Sequence, residues 1–324
     1  LVGELPELLE IRLTRALPWL RRVAWHIEAL FIRAIVWLLL ELSPERSVAL
    51  AMRVMHLIGP LMPMYDKVGR NFAVAFPALG SAERTRLQRG VFGYLGAAIA
   101  ELVSIERLWE QRAKRLEFVA DPAIRGIEAG APPMVLVTAH VGAWQLTNFI
   151  AARYGFPLTS LYAPESNPLL AEITFGLRDA LPCSWISRDG GVKRLIGELR
   201  DGRSVGLACD TRLDQGEAVD FFGQAALTNT VPARLALRQG CELVPVHVMR
   251  LPGARYRITM EAPIVARDPA ASDSAKALDM STQMNARFES WIRATPGEWM
   301  CLARRFPKNL DKAARDRARG GTHQ

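Results

Sequence analysis

From Ala131 onward, short apolar runs alternate with amphipathic stretches, and this alternation limits the possible folds more than any other feature of the chain. Residues 134–138, 158–162, 205–209, 243–248 and 256–260 read as strands, each too short and too apolar to be an amphipathic helix. Between the first four of them fall helical patterns at 143–154, 169–180, 191–200 and 232–239. Such interleaving predicts the α/β class, a mixed and largely parallel sheet flanked by helices. In sheets of this kind reactive groups gather at the C-terminal ends of strands.

The first 120 residues follow a different pattern and read as all-helical. An apolar stretch over 23–42 follows four arginines (Arg12, Arg15, Arg21 and Arg22), with no small-residue cleavage site behind it. It is about long enough to cross a bilayer but carries Glu28, Arg33 and Glu41. Three readings stay open: a helix lying in the headgroup region, a spanning helix, or a packed helix of a soluble domain. In either membrane case the arginine-rich flank faces the cytoplasm. A second helix is expected over 47–58 after Ser43-Pro44, stopping at Gly59-Pro60, and a third from Ser81, as N-cap, to about Trp109.

A net charge of +8 calls for an anionic partner. The basic residues are dispersed, without zinc-finger spacing or an aromatic-basic stripe, which argues against nucleic acid. The four cysteines (Cys183, Cys209, Cys241 and Cys301) form no CxxC pair, so neither a zinc site nor a disulfide framework is expected. Cys209 and Cys241 lie in apolar strand-like runs and read as buried, reduced thiols, in keeping with a cytoplasmic compartment.

The segment 134–148, MVLVTAHVGAWQLTN, carries the chemistry. A strand ends at His140 and a helix opens two or three residues later, which sets an imidazole at a strand's C-terminal edge beside free helix amides. Such a histidine can take a proton from an attacking hydroxyl while amides favour the developing oxyanion. His140-Val141-Gly142-Ala143-Trp144-Gln145 is similar to a histidine motif commonly written HxGxWE. It stands in an ordered set with Arg70-Asn71-Phe72 and Phe76-Pro77, Gly96 with Glu101, Arg178, Gly190-Gly191 with Arg194, Asp210, Phe221-Phe222-Gly223, Pro232-Ala233-Arg234, and Pro296 with Trp299, Arg304 and Arg305. Over roughly residues 65 to 307 this set resembles the lipid A late acyltransferase branch of the lysophospholipid acyltransferase superfamily.

The resemblance implies a glycerolipid acyltransferase-like fold and three segments: a membrane-associating helical part at 1–64, an acyltransferase α/β domain at 65–310, and a basic tail at 311–324. It implies transfer of a fatty acyl group from acyl-carrier protein or acyl-CoA to a hydroxyl or amine of a lipid or glycolipid acceptor. His140 would be the general base, steadied by a carboxylate, with no covalent enzyme intermediate. An acidic carrier protein would suit a basic chain. No metal or tightly bound cofactor is implied. The expected location is the cytoplasmic face of the inner membrane, peripheral or single-pass.

Position 145 departs from the motif: glutamine stands where an acidic residue is usual, and it offers little to stabilise an imidazolium. Three explanations compete: an engineered variant, another carboxylate serving the histidine, or a non-catalytic lipid- or carrier-binding member of the fold. Asp210, which also ends a strand, is the candidate substitute; a turn or N-cap carboxylate is its alternative reading. The candidate catalytic set is thus His140, Gln145 and Asp210, and the candidate substrate-binding set is Gly142, Trp144, Arg178, Arg212, Phe222 and Arg234. Arg304 and Arg305 read as basic surface.

Overall fold

The computed structural model describes residues 18–128, 130–189 and 191–310. Arg12, Arg15, Gly190 and the basic 311–324 tail lie outside the described residues.

The N-terminal part is helical: α1 (Pro18–Glu41), α2 (Pro44–Ile58), α3 (Tyr65–Ala75), α4 (Ser81–Val103), α5 (Ile105–Glu110) and α6 (Arg112–Arg115). Ser43 caps α2 by accepting from the Arg46 amide, with Pro44 at the first helical position, as the Ser-Pro pair predicts. At α4 the cap residue is Gly80, so Ser81 is the first helical residue rather than the N-cap. The helix expected to reach Trp109 breaks at Ser104 into α4 and α5. Gly96 lets α2 and α4 cross closely: a Cβ there would lie 2.2 Å from the Ala51 carbonyl oxygen.

The rest alternates as expected, with β1 (Leu116–Ala120), β2 (Met134–Thr138), a 3₁₀ turn (Trp144–Asn148), α7 (Phe149–Tyr154), β3 (Leu158–Tyr162), α8 (Pro168–Arg178), β4 (Ser184–Ser187), α9 (Gly191–Arg200) and β5 (Ser204–Ala208). After a hairpin of β6 (Glu217–Phe221) and β7 (Gln224–Thr228) come α10 (Val231–Gln239), β8 (Glu242–Leu251), β9 (Arg255–Met260) and α11 (Asp273–Ala294). A seven-stranded sheet has the order β1-β9-β8-β2-β5-β3-β4. Its pairs are parallel except β8 with β9, which is the mixed, largely parallel sheet the alternation predicts. β1 places a strand inside the first 120 residues, which are therefore not all-helical.

Every residue of β2 is buried. Val135 and Val137 face one apolar core and Met134 and Leu136 the other, so a central strand covered on both sides carries no polar alternation. α1 packs only a narrow stripe: Ala29 and Leu39 are buried, whereas Trp19, Val23, Ile27, Leu30, Phe31, Trp37 and Leu38 are exposed. The helix is long and apolar enough to cross a membrane. It is docked on the domain through Asn167, the N-cap of α8, whose amide donates to the Trp25 carbonyl and to Glu28.

Candidate active site

The parallel register of β2 and β5 sets Thr138 opposite Ala208, and the Cys209 amide donates to the Thr138 carbonyl at 2.9 Å. Both chains therefore leave the sheet side by side, and His140 and Asp210 meet just beyond it. Asp210 Oδ1 lies 2.6 Å from His140 Nδ1 and accepts the His140 backbone N–H at 3.0 Å. Its Oδ2 accepts the indole N–H of Trp299 at 3.0 Å. Asp210 is 3% exposed, while the imidazole retains 28% of its side-chain surface; the carboxylate is closed in and the ring stays open.

Burial alone would depress the His140 pKa, but the charge and hydrogen bond of Asp210 outweigh it and raise the value above the ordinary imidazole range. For Asp210, burial works to raise the pKa, and His140 and Trp299 together hold it below the usual carboxylate value. With Nδ1 on the carboxylate, Nε2 is the nitrogen left for a substrate proton.

The segment after β2 must turn away sharply, and Gly142 does this at φ +63°. A Cβ there would lie 1.9 Å from the Val248 carbonyl oxygen, which accepts the Ala143 N–H at 3.2 Å. The Val141 N–H is likewise spent on the Ala139 carbonyl at 2.7 Å. The N–H groups of Val141 and Ala143 thus close the turn, and the chain runs on from it as the 3₁₀ turn Trp144–Asn148 rather than directly as an α-helix, with the Gly142, Trp144 and Gln145 N–H groups outside these bonds. Trp144 stands with its ring centroid 5.4 Å from that of the imidazole.

A cavity of about 440 Å³ opens from His140 across the sheet. Trp144, Gln145 and Thr147 line it near the histidine in sequence, while Leu102, Leu136, Ile150, Leu158, Leu161, Leu181 and Val246 supply an apolar wall. Gln145 Oε1 is buried without a partner, so it is not the acceptor for His140; leaving such an atom unpaired costs about 1–3 kcal/mol. Arg178 lines the same cavity, with its guanidinium 6.0 Å from the Tyr162 ring and 5.6 Å from the Trp185 ring. Burial lowers its pKa, and Nη1 is buried without a hydrogen-bond partner.

Four of the substrate-binding candidates do not line this cavity, and one of them, Gly142, turns the chain beside it. Arg212 pairs with Asp214 at 2.6 Å. Arg234 pairs with Glu217 at 2.8 Å. Phe222 turns the β6–β7 hairpin at φ +56° and stacks on Trp299, with centroids 5.8 Å apart. Phe222 and Trp299 thus share the packed wall behind Asp210.

Sequence reasoning assigned no role to the strap formed by residues 299–306. The Met300 N–H donates to the His140 carbonyl at 2.8 Å. Asn71 Nδ2 donates to the carbonyls of Cys301 and Ala303, and Asn71 Oδ1 accepts the Arg305 N–H. Arg305, read as surface, is 2% exposed and donates to Leu227 O and Thr228 Oγ1. The same reasoning missed the buried cluster in which Arg250 binds Glu101 and Glu298, at 2.7 and 2.6 Å, and so fixes the residue before Trp299. Asn71, Glu101 and Trp299 all belong to the ordered motif set, which was the available signal. Of the two cysteines read as buried, Cys209 is buried and Cys241 only partly so. Among the described residues no group of three or more His, Cys, Asp or Glu could hold a metal ion.

A histidine–aspartate pair at adjacent parallel strand ends, with the histidine on a cavity that has an apolar wall, is the chemical centre of the fold. The chain belongs to the bacterial lipid A biosynthesis acyltransferase family, whose model matches residues 20–308; it is an acyltransferase. It is 22% identical over 235 residues to a lipid A biosynthesis acyltransferase of Haemophilus influenzae, covering 72% of each chain. It is 26% identical over 242 residues to a phosphatidylinositol mannoside acyltransferase of Mycolicibacterium smegmatis, covering 72% of this chain and 71% of the relative. The crystal structure of the 1-acyl-sn-glycerophosphate acyltransferase of Thermotoga maritima aligns with a TM-score of 0.35 and 12% identity, covering 78% of this chain and 100% of that one.

Proposed function

We propose that this acyltransferase moves a fatty acyl group from a thioester, carried by acyl-carrier protein or coenzyme A, to a hydroxyl or amine of a lipid or glycolipid. The observation that carries the reading is the His140–Asp210 pair opening on an apolar cavity. Nε2 of His140 takes the proton of the acceptor as its oxygen attacks the thioester carbon. Asp210 fixes the tautomer and steadies the imidazolium. The acyl chain lies along the apolar wall, where each buried methylene contributes about 0.8 kcal/mol. Arg178, at the same cavity, meets an anionic group of carrier or acceptor.

With Asp210 on Nδ1, glutamine at position 145 is no argument against turnover, and the binding-only alternative loses the feature that recommended it. The exposed apolar face of α1, with arginines beside it, supports docking at the cytoplasmic face of the inner membrane. The experiment is transfer of a labelled acyl group from acyl-carrier protein and from coenzyme A to a bacterial lipid extract, with free acid measured in parallel. Acylated lipid that is lost in His140→Ala supports the reading. Free acid alone would make the protein a thioester hydrolase.

A further inference from the structure

β5 is an interior strand of the sheet, yet Gly206 and Ala208, alternate residues on one of its faces, are only partly buried. Glycine inside a strand weakens it and often marks the close approach of a ligand. The registers set Leu136, Gly206, Ser160 and Trp185 side by side across β2, β5, β3 and β4, and all four line the cavity. Between the bulky Leu136 and Trp185 the cavity floor therefore drops to a hydrogen atom and a hydroxymethyl group, a trough over β5 and β3.

The trough is open because position 206 has no side chain. A Cβ there would stand 3.0 Å from Ser160 Oγ and 3.7 Å from Leu158 Cδ1. Its far end is polar: Trp185 Nε1 and Arg178 Nη1 are buried without hydrogen-bond partners, the guanidinium lies 5.6 Å from the Trp185 ring, and β4 is the last strand on this side. A methylene laid in the trough gains about 0.8 kcal/mol. One pressed over these donors keeps a polar partner from them, at about 1–3 kcal/mol each. The balance favours a hydrocarbon that crosses the trough and stops short of that end. Three strand spacings of ~4.8 Å separate β2 from β4, about 14 Å in all. A zigzag chain of ~1.5 Å bonds advances about 1.25 Å per carbon, so about a dozen carbons span it.

We propose that Gly206 and Trp185 set the length of the acyl chain this enzyme accepts, Gly206 by leaving the trough open across β5 and Trp185 by closing it at β4, and that they select a medium-length saturated chain. This rests on the cavity being the seat of the donor's acyl chain. Arg178, beyond the chain's end, stays available to an anionic group.

The test is equilibrium binding of saturated acyl-pantetheines, from octanoyl to octadecanoyl, to full-length His140→Ala protein, a background that prevents turnover. Pantetheine is the portion shared by both carriers. Dodecanoyl is expected to bind at least about ten-fold more tightly than hexadecanoyl, whose last methylenes meet the unpaired donors. Adding Gly206→Ala should move the optimum to shorter chains by about two carbons, the burial that the intruding methyl group displaces. Gly206→Ala/Ser160→Ala removes the hydroxyl nearest the new carbon; it should move the optimum the same way, and it serves in place of the single variant if that one does not fold. Trp185→Phe keeps a ring and loses the indole N–H, and should narrow the gap between dodecanoyl and hexadecanoyl. An optimum that none of these variants moves, or hexadecanoyl bound as tightly as dodecanoyl, would overturn the proposal and leave the acyl-transfer reading standing. A protein that binds no acyl-pantetheine of any length would instead remove that reading, and the proposal with it.

Discussion

Asp210 reaches Nδ1 of His140 at 2.6 Å because their strands run parallel in a register that sets Thr138 opposite Ala208. The geometry of the pair is thus written into the sheet and not into the loop that carries the histidine motif. A carboxylate seventy positions away in sequence stands at Nδ1, where the motif leads one to expect the side chain of position 145.

This pairing has a titration signature. His140 is expected to titrate above the ordinary imidazole value, so the neutral base accumulates only as pH rises through that raised pKa. Asp210→Asn removes the charge that raises it and leaves the burial that lowers it, and the midpoint should fall below the ordinary value. Nuclear magnetic resonance titration of the ring protons in both proteins checks the direction.

Trp299 holds the other oxygen of the carboxylate. Trp299→Phe keeps most of the packing against Phe222 and removes one hydrogen bond to a charged group, a loss of about 1.5–3 kcal/mol. With one donor fewer, the Asp210 carboxylate interacts more strongly with His140, so the raised His140 pKa, which sets the acidic limb of the pH–rate profile, should move further upward. Stability loss without that movement would leave Trp299 a packing residue only.

Gly142→Ala is expected to be costly in two ways. The backbone conformation disfavours any Cβ, and the added carbon meets the Val248 carbonyl, which must move. We expect at least about 1–3 kcal/mol of lost stability, with activity falling further because the turn carries His140. Chemical denaturation measured beside kcat separates the two effects.

Arg250 lies between Glu101 and Glu298. Arg250→Met leaves two carboxylates buried without their cation, at a cost of about 3–5 kcal/mol. Adding Glu101→Gln and Glu298→Gln should recover part of it. A double- and triple-variant cycle in urea measures the recovery; none at all would mean the arginine acts by packing alone.

Much of the architecture was legible. The alternation after Ala131 predicted β2, β3, β5, β8 and β9 and the helices between them; burial on both faces makes β2 a continuous apolar run, while β9 shows one buried face in alternation. β1 and β4 escaped because they lie toward the ends of the sheet, where partial exposure leaves no continuous apolar run. The β6–β7 hairpin escaped because its turn is Phe222-Gly223, with an aromatic residue at a positive φ where glycine or asparagine is the usual signal. At the site, His140 was marked by its motif and Asp210 by its place at a strand end. Their contact depends on strand order, which one sequence does not state. Arg305 was misread because a buried guanidinium is recognisable only from the carbonyl and hydroxyl it meets, and those come from β7.

The exposed face of α1 predicts lipid binding through apolar area. Replacing Ile27, Leu30, Phe31 and Leu38 with serine should release the protein from vesicles containing anionic lipid, by about 1.5–3 kcal/mol for each fully buried side chain. Removal of Arg21 and Arg22 should weaken binding to anionic vesicles and leave neutral ones little affected. Co-sedimentation with both vesicle types reads the difference.

The most direct measurement is the rate of acyl transfer in Asp210→Asn beside the parent. If Asp210 serves His140, the rate falls by about 10⁴-fold, as when a triad aspartate becomes asparagine. An Asp210→Asn protein that turns over like the parent would contradict the account at its centre.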